Sequence, residues 1–362
     1  MRTAVFFSNP FGFGPTGKMI AVLEEFKKYW NGQIIYASSG LCTEIMHMSD
    51  IIQKDVDQRD ELSVERVLRA YDKPVVISSL NRFAIAAAHK LKIPSAFIDG
   101  LAWLWDPIPE AFLRADMYIC TQFPGLETKI KPYRNAYIVP FILSPLPNKS
   151  TKAGSVLIHF GGGENPLQSE ISQEYYALIG KALQKITWQG NITVAGGTGC
   201  IRIIAEHAHR DDIMFKTFTK DLFLQKLAEA GHFITTSGIN ATMEAFAIGV
   251  PTSFMLPSNL SQWKLLSHLI AFGAADSCLQ WETYFPEYHI KVGISEKENI
   301  EDIHVLAQRM YKDQTIGQRF IEDVSKLVSQ VPVTPWQQAF AEMLGTNGAE
   351  KTVAILRKNW NF

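Results

Sequence analysis

The chain has 362 residues, 47% of them hydrophobic and 11% aromatic, with 35 Lys and Arg against 36 Asp and Glu for a formal net charge of -1. At roughly 100 to 200 residues per domain that length implies two cores rather than one. The charge balance survives division, with 17 basic and 15 acidic residues in positions 1–150, so neither half has the basic excess of a nucleic-acid binder. Cys42, Cys120, Cys200 and Cys278 form no CxxC pair, which argues against a zinc ribbon or a disulfide framework and for a reducing cytoplasm. The amino terminus turns polar at Ser8-Asn9, too early for a signal-peptide core, and no run approaches the ~18 apolar residues of a membrane span.

In chain order, Thr3 to Ser8 reads as a buried parallel strand, and Met19, Val22, Leu23, Phe26 and Trp30 recur at helical spacing. Between them lies a glycine loop, Asn9 to Gly17, which contains Gly12, Phe13, Gly14 and Gly17 and ends a first strand where open α/β sheets bind ligands. Strands are expected at 33–37, 74–78, 95–99, 117–121 and 136–139, with helices at 64–71 and 82–91; this alternation predicts a parallel sheet. The single Asp-x-Asp, Asp55-Val56-Asp57, reads as a polar helix or loop and not as a metal site; no metal is expected. Ser144 to Gly154, with Pro145 and Pro147, reads as a linker.

The pattern restarts at 155–160, with further strands at 191–195, 213–217, 232–235 and 251–255. Three domain spans follow: 1–148, 155–330, and a terminal helix and tail, 331–362, expected to return to the first domain. Two strand ends carry glycine loops, Gly161-Gly162-Gly163 and Gly196-Gly197-Thr198-Gly199. The most informative segment is Thr235 to Pro251, in which a strand ends at Ser237-Gly238, a helix opens at once, and Glu244 follows six residues after Gly238. Unpaired amides at a helix start attract phosphate, and a carboxylate further along can accept hydrogen bonds from ribose hydroxyls.

These residues resemble the GT-B glycosyltransferases, in particular the plant and antibiotic enzymes and the N-acetylglucosaminyltransferases that form lipid II. The similarity runs in order and spacing over most of residues 155–275, through the His159 to Asn165 loop, Ser237-Gly238, Glu244-Ala245, Gly249-Val250-Pro251 and the loop Leu256 to Gln262. It implies an α/β fold of GT-B architecture, with two Rossmann-like domains facing across a cleft. The implied donor site comprises Gly161, Gly162, Gly163, Gly197, Phe218 at the base, Ser237, Gly238, Asn240, Glu244 on the ribose, and Gln262 on the sugar. The co-substrate would be a UDP-sugar, with no other cofactor.

The N-terminal half departs from that pattern. Enzymes of this type often carry a histidine base in the first glycine loop, and Phe11 to Lys18 contains none. Asp99, at a strand end beside Trp103 and Trp105, is the expected substitute. Phe13, Gly14, Trp103 and Trp105 are expected to bind a small acceptor, planar or apolar. Retaining members have a Glu eight residues before the position of Glu244, where this chain has Thr236, so inversion is implied. Two other readings stay open: a sugar-nucleotide 2-epimerase or hydrolase of the same fold, and a nucleotide-sugar-binding subunit without activity. His47, His159, His232 and His268 read as structural rather than basic groups.

Overall fold

The computed structural model describes residues 2–46, 48, 51–163, 172–291, 293–333 and 335–362. His47, Glu164 and Asn165 therefore lie outside the described residues. The chain divides into two compact units, one of residues 1–145 with 343–362 and the other of residues 146–342.

The first unit is built on a seven-stranded parallel sheet of β1 (Thr3–Ser8), β2 (Gln33–Ser38), β3 (Ile52–Asp55), β4 (Pro74–Ser79), β5 (Ser95–Asp99), β6 (Met117–Thr121) and β7 (Ala136–Val139), ordered β3-β2-β1-β4-β5-β6-β7. Side-chain alternation explains how one short apolar strand serves two layers. From β1, Ala4 and Phe6 join the core with Met19, Val22, Leu23 and Phe26 of the helix Gly14–Phe26, while Val5 and Phe7 join Val64, Leu68, Ala84 and Ala88 on the other face. Asn81 caps the helix Arg82–Leu91 by accepting from the amides of Phe83 and Ala84, which fixes where that helix starts. β3 corrects the sequence reading. Asp55 ends an edge strand whose four residues are all exposed, so no buried alternation announced it, and Asp57 accepts from the Arg59 amide at 3.0 Å in the following turn.

The second unit has a five-stranded parallel sheet of β8 (Val156–His159), β9 (Ile192–Ala195), β10 (Ile213–Lys216), β11 (His232–Thr235) and β12 (Thr252–Phe254), ordered β10-β9-β8-β11-β12. The helices Glu296–Lys312 and Gln314–Ser329, absent from the sequence reading, supply Ile303, Leu306, Met310, Phe320 and Val324 to its main core. The segment 331–362 does not act as one piece. Its first helix, Pro335–Leu344, lies mostly in this unit: Gln337 accepts from the Thr252 amide at 3.1 Å and donates to the Thr252 carbonyl at 2.7 Å, completing the hydrogen bonds of β12. Only 343–362 belongs to the first unit, where Ala349, Val353 and Leu356 of the helix Gly348–Trp360 enter the core beside β1. Among the described residues no helix is long and apolar enough to cross a membrane.

His232 on β11 is 1% exposed, meets Ser253 Oγ at 2.8 Å, and is pushed down to about 4 by burial, against the pull of the Val328 carbonyl. A histidine held neutral in the fold takes up its proton on unfolding, so between pH 6.5 and about 4 the unfolded chain binds more protons and stability falls as the pH is lowered. The expected loss is about 1 kcal/mol per pH unit from this residue. Urea midpoints at pH 7 and pH 5 should converge in His232→Gln relative to the wild type; an unchanged pH slope would exclude this origin.

Candidate functional site

The second unit reverses its strand order between β8 and β11, and in open α/β sheets the carboxyl ends of the strands at such a reversal are where ligands bind. The loop after β8 holds Gly161, Gly162 and Gly163, and the Gly197 amide donates to the Gly161 carbonyl at 2.8 Å, joining it to the loop after β9. Gly197 has to be glycine, because a Cβ there would stand 2.0 Å from the Gly162 carbonyl oxygen. Gly161 has φ +62° and only open space where its side chain would be, leaving its backbone accessible to a partner. At β11 the chain passes through Thr236, Ser237 and Gly238 into the helix Ile239–Ile248, whose first turn has no side-chain cap. Its leading amides and dipole suit an anion.

Two expected donor contacts are engaged inside the protein. Ser237 is fully buried and its hydroxyl donates to the Gln262 carbonyl at 2.7 Å, which ties the β11 loop to the segment after β12. The Gln262 side-chain oxygen accepts from both the amide and hydroxyl of Ser258, at 2.8 and 3.0 Å. The Ser237 hydroxyl thus joins two loops of the unit. Phe218 is half-buried against the cluster of Leu157, Phe223 and Leu227, and Asn240 is half-buried in the first helical turn.

Glu244 is 2% exposed and carries an ion pair the sequence did not suggest: its Oε1 accepts from Lys220 Nζ, and its Oε2 is buried with no hydrogen-bond partner among the described residues. One signal was legible. Lys220 opens the helix Lys220–Glu229, where a cation is disfavoured by the helix dipole unless an acid answers it. His159, at the end of β8, is pushed down to about 3 by burial and by the Lys220 charge. Its Nδ1 lies 3.3 Å from Thr235 Oγ1, which already donates to the Thr236 carbonyl, so the imidazole is neutral with its proton on Nδ1.

In the first unit the equivalent reversal falls between β1 and β4. Asn9 donates its amide to the Ser79 carbonyl and its side chain to the Leu80 carbonyl, each at 2.9 Å, which links the loops after these two strands. Gly12 has φ +59°, and neither it nor Gly14 has a neighbour within 4 Å of an added Cβ, whereas Phe13 packs on the core.

The expected base lies in an enclosed, polar setting. Asp99 is 0% exposed, and its carboxylate accepts from the Leu101 amide at 2.7 Å, the Trp105 indole at 2.9 Å and the Tyr118 hydroxyl at 2.7 Å. Burial raises its pKa, while these donors and the Lys18 charge act the other way. These bonds tie the 101–105 loop to the Asp99 carboxylate. Trp105 is correspondingly pinned by its indole nitrogen and by an edge contact with Phe112 at 5.7 Å, and Trp103 stacks on Phe123 at 4.5 Å. Both tryptophans remain half-exposed. Lys18 is buried with its stem over Gly100, where a Cβ would come within 2.3 Å of Lys18 Cε, and its ammonium 4.5 Å from the Phe141 ring.

No protein-family model matches the chain, and no curated protein matches it in sequence. Solved structures do match over nearly all of it. A variant of Os79 from O. sativa in complex with UDP is 12% identical over 99% of this chain and 100% of that one, with a TM-score of 0.59. MnaA from S. aureus with UDP is 13% identical over 99% and 97%, with a TM-score of 0.55. A UDP-glucosyltransferase from Polygonum tinctorium capable of glucosylating indoxyl is 14% identical over 100% and 99%, with a TM-score of 0.52. At these identities the likeness is one of fold, and the chain has the GT-B fold of two Rossmann-like units that its motifs resemble.

Proposed function

We propose that the chain is a glycosyltransferase that moves a sugar from a nucleotide-diphosphate sugar, uridine-linked, to a small acceptor. The observation that carries this reading is the meeting, at the strand reversal of the second unit, of two joined glycine loops, an uncapped helix start and the buried Glu244, whose Oε2 awaits a donor. Similar folds that hold UDP, and one that is a glucosyltransferase, support it. The amides of Ile239 to Ala241 and of the glycine loops would take the diphosphate, Phe218 the base, Glu244 a ribose hydroxyl, and Asn240 and the Gln262 amide the sugar. Phe13, Gly14 and the half-exposed faces of Trp103 and Trp105 would meet a planar or apolar acceptor.

In the inverting reaction the acceptor oxygen bonds to the anomeric carbon as the carbon–oxygen bond to phosphate breaks. The diphosphate leaves with that electron pair, its charge met by amides and helix dipole without a metal. With Asp99 enclosed, the acceptor proton passes to another base or to the leaving diphosphate. That enclosure also favours one competing reading, a nucleotide-sugar-binding subunit without turnover. A panel of UDP-sugars incubated with and without small phenolic acceptors decides. Acceptor-dependent release of UDP is expected; isomerised donor would mean an epimerase, and binding without turnover a binding subunit.

A further inference from the structure

Lys220 and Glu244 are an uncommon pair. Their side chains are 10% and 3% exposed, so both charges have left water, and attraction alone seldom makes such burial favourable over an apolar pair. The pair also leaves a polar atom unused. Lys220 takes Oε1, while Oε2 is buried and unpartnered among the described residues, a cost expected where a ligand's donor completes the group. The lysine has little freedom to do otherwise. Its Nζ lies 5.6 Å from the centre of the Phe223 ring, and that ring packs at 4.6 Å against His159. The neutral imidazole avoids a second cation beside the first.

We infer that Lys220 is a positioning residue that holds Glu244 by Oε1 and presents Oε2 alone to a hydroxyl donor, so that the site selects ribonucleoside over deoxyribonucleoside diphosphates. The inference rests on the nucleotide-binding reading proposed above and adds to it the residue that sets sugar selectivity. A lysine that served only to neutralise charge or to grip phosphate would weaken ribo and deoxy ligands alike. A lysine that aims Oε2 affects only ligands carrying the hydroxyl.

Calorimetric titration of the full chain with UDP, 2′-deoxy-UDP and 3′-deoxy-UDP tests this. The wild type should prefer UDP to at least one deoxy analogue by about tenfold or more, the scale of one charge-assisted hydrogen bond. In Lys220→Met that ratio should fall to within about twofold. Lys220→Arg keeps the charge and so guards against loss of folding; its forked guanidinium takes both carboxylate oxygens and should lower the ratio as well. A wild-type ratio in either folded variant overturns the inference while leaving UDP binding standing. Wild-type protein that binds no UDP overturns both readings.

Discussion

Asp99→Ala should lower the stability of the N-terminal unit by about 3–5 kcal/mol, the scale of removing one partner from a buried charged network. The substitution strands the Tyr118 hydroxyl, the Trp105 indole and the Leu101 amide, and deprives the buried Lys18 of a nearby negative charge. Urea unfolding should show an earlier first transition, because two units need not unfold together. Calorimetric UDP affinity should stay at the wild-type value. Asp99→Asn separates anchoring from catalysis: an amide cannot accept from all three donors with both of its polar atoms, so stability should fall here too. Wild-type stability combined with lost turnover would restore Asp99 as the base.

Glu244→Ala should weaken UDP binding by about 1–3 kcal/mol, or roughly five- to 150-fold, the range for charge-assisted hydrogen bonds. Two losses combine. The variant removes Oε2, the buried acceptor, and it leaves Lys220 without its counter-ion in a largely enclosed place. The second loss is read as reduced stability and the first as reduced affinity, so both belong in one experiment. Glu244→Gln, which keeps volume while exchanging one acceptor for a donor, should retain more stability than affinity. UDP binding unchanged in Glu244→Ala would take this residue out of the site.

The strands that were legible are those with uninterrupted apolar runs between turn signals, such as Thr3–Ser8 and His232–Thr235, because a central parallel strand is buried on both faces. The edge strand Ile52–Asp55 was not, since all four of its residues are exposed and its polar text resembles a loop. The glycine loops were legible for a related reason. Glycines at strand ends mark places where backbones must approach closely, and Gly197 beside Gly162 shows that constraint. Side-chain partners across long sequence separations left much weaker traces. Nothing near Ser237 in the text announces that its hydroxyl serves the Gln262 carbonyl, or near Asp99 that Tyr118 closes over it.

By itself the sequence determined two α/β units, their parallel sheets, the glycine loops and the helix start after Ser237-Gly238, because periodicity, glycine placement and helix initiation are local properties of the chain. Only the tertiary structure decided which of the polar groups are engaged within the protein. It enclosed Asp99, engaged Ser237 and half of Gln262, paired Lys220 with one oxygen of Glu244 and left the other unmet among the described residues. Those outcomes depend on burial and on partners brought together by folding, and a carboxylate's chemistry follows from its neighbours and its distance from water.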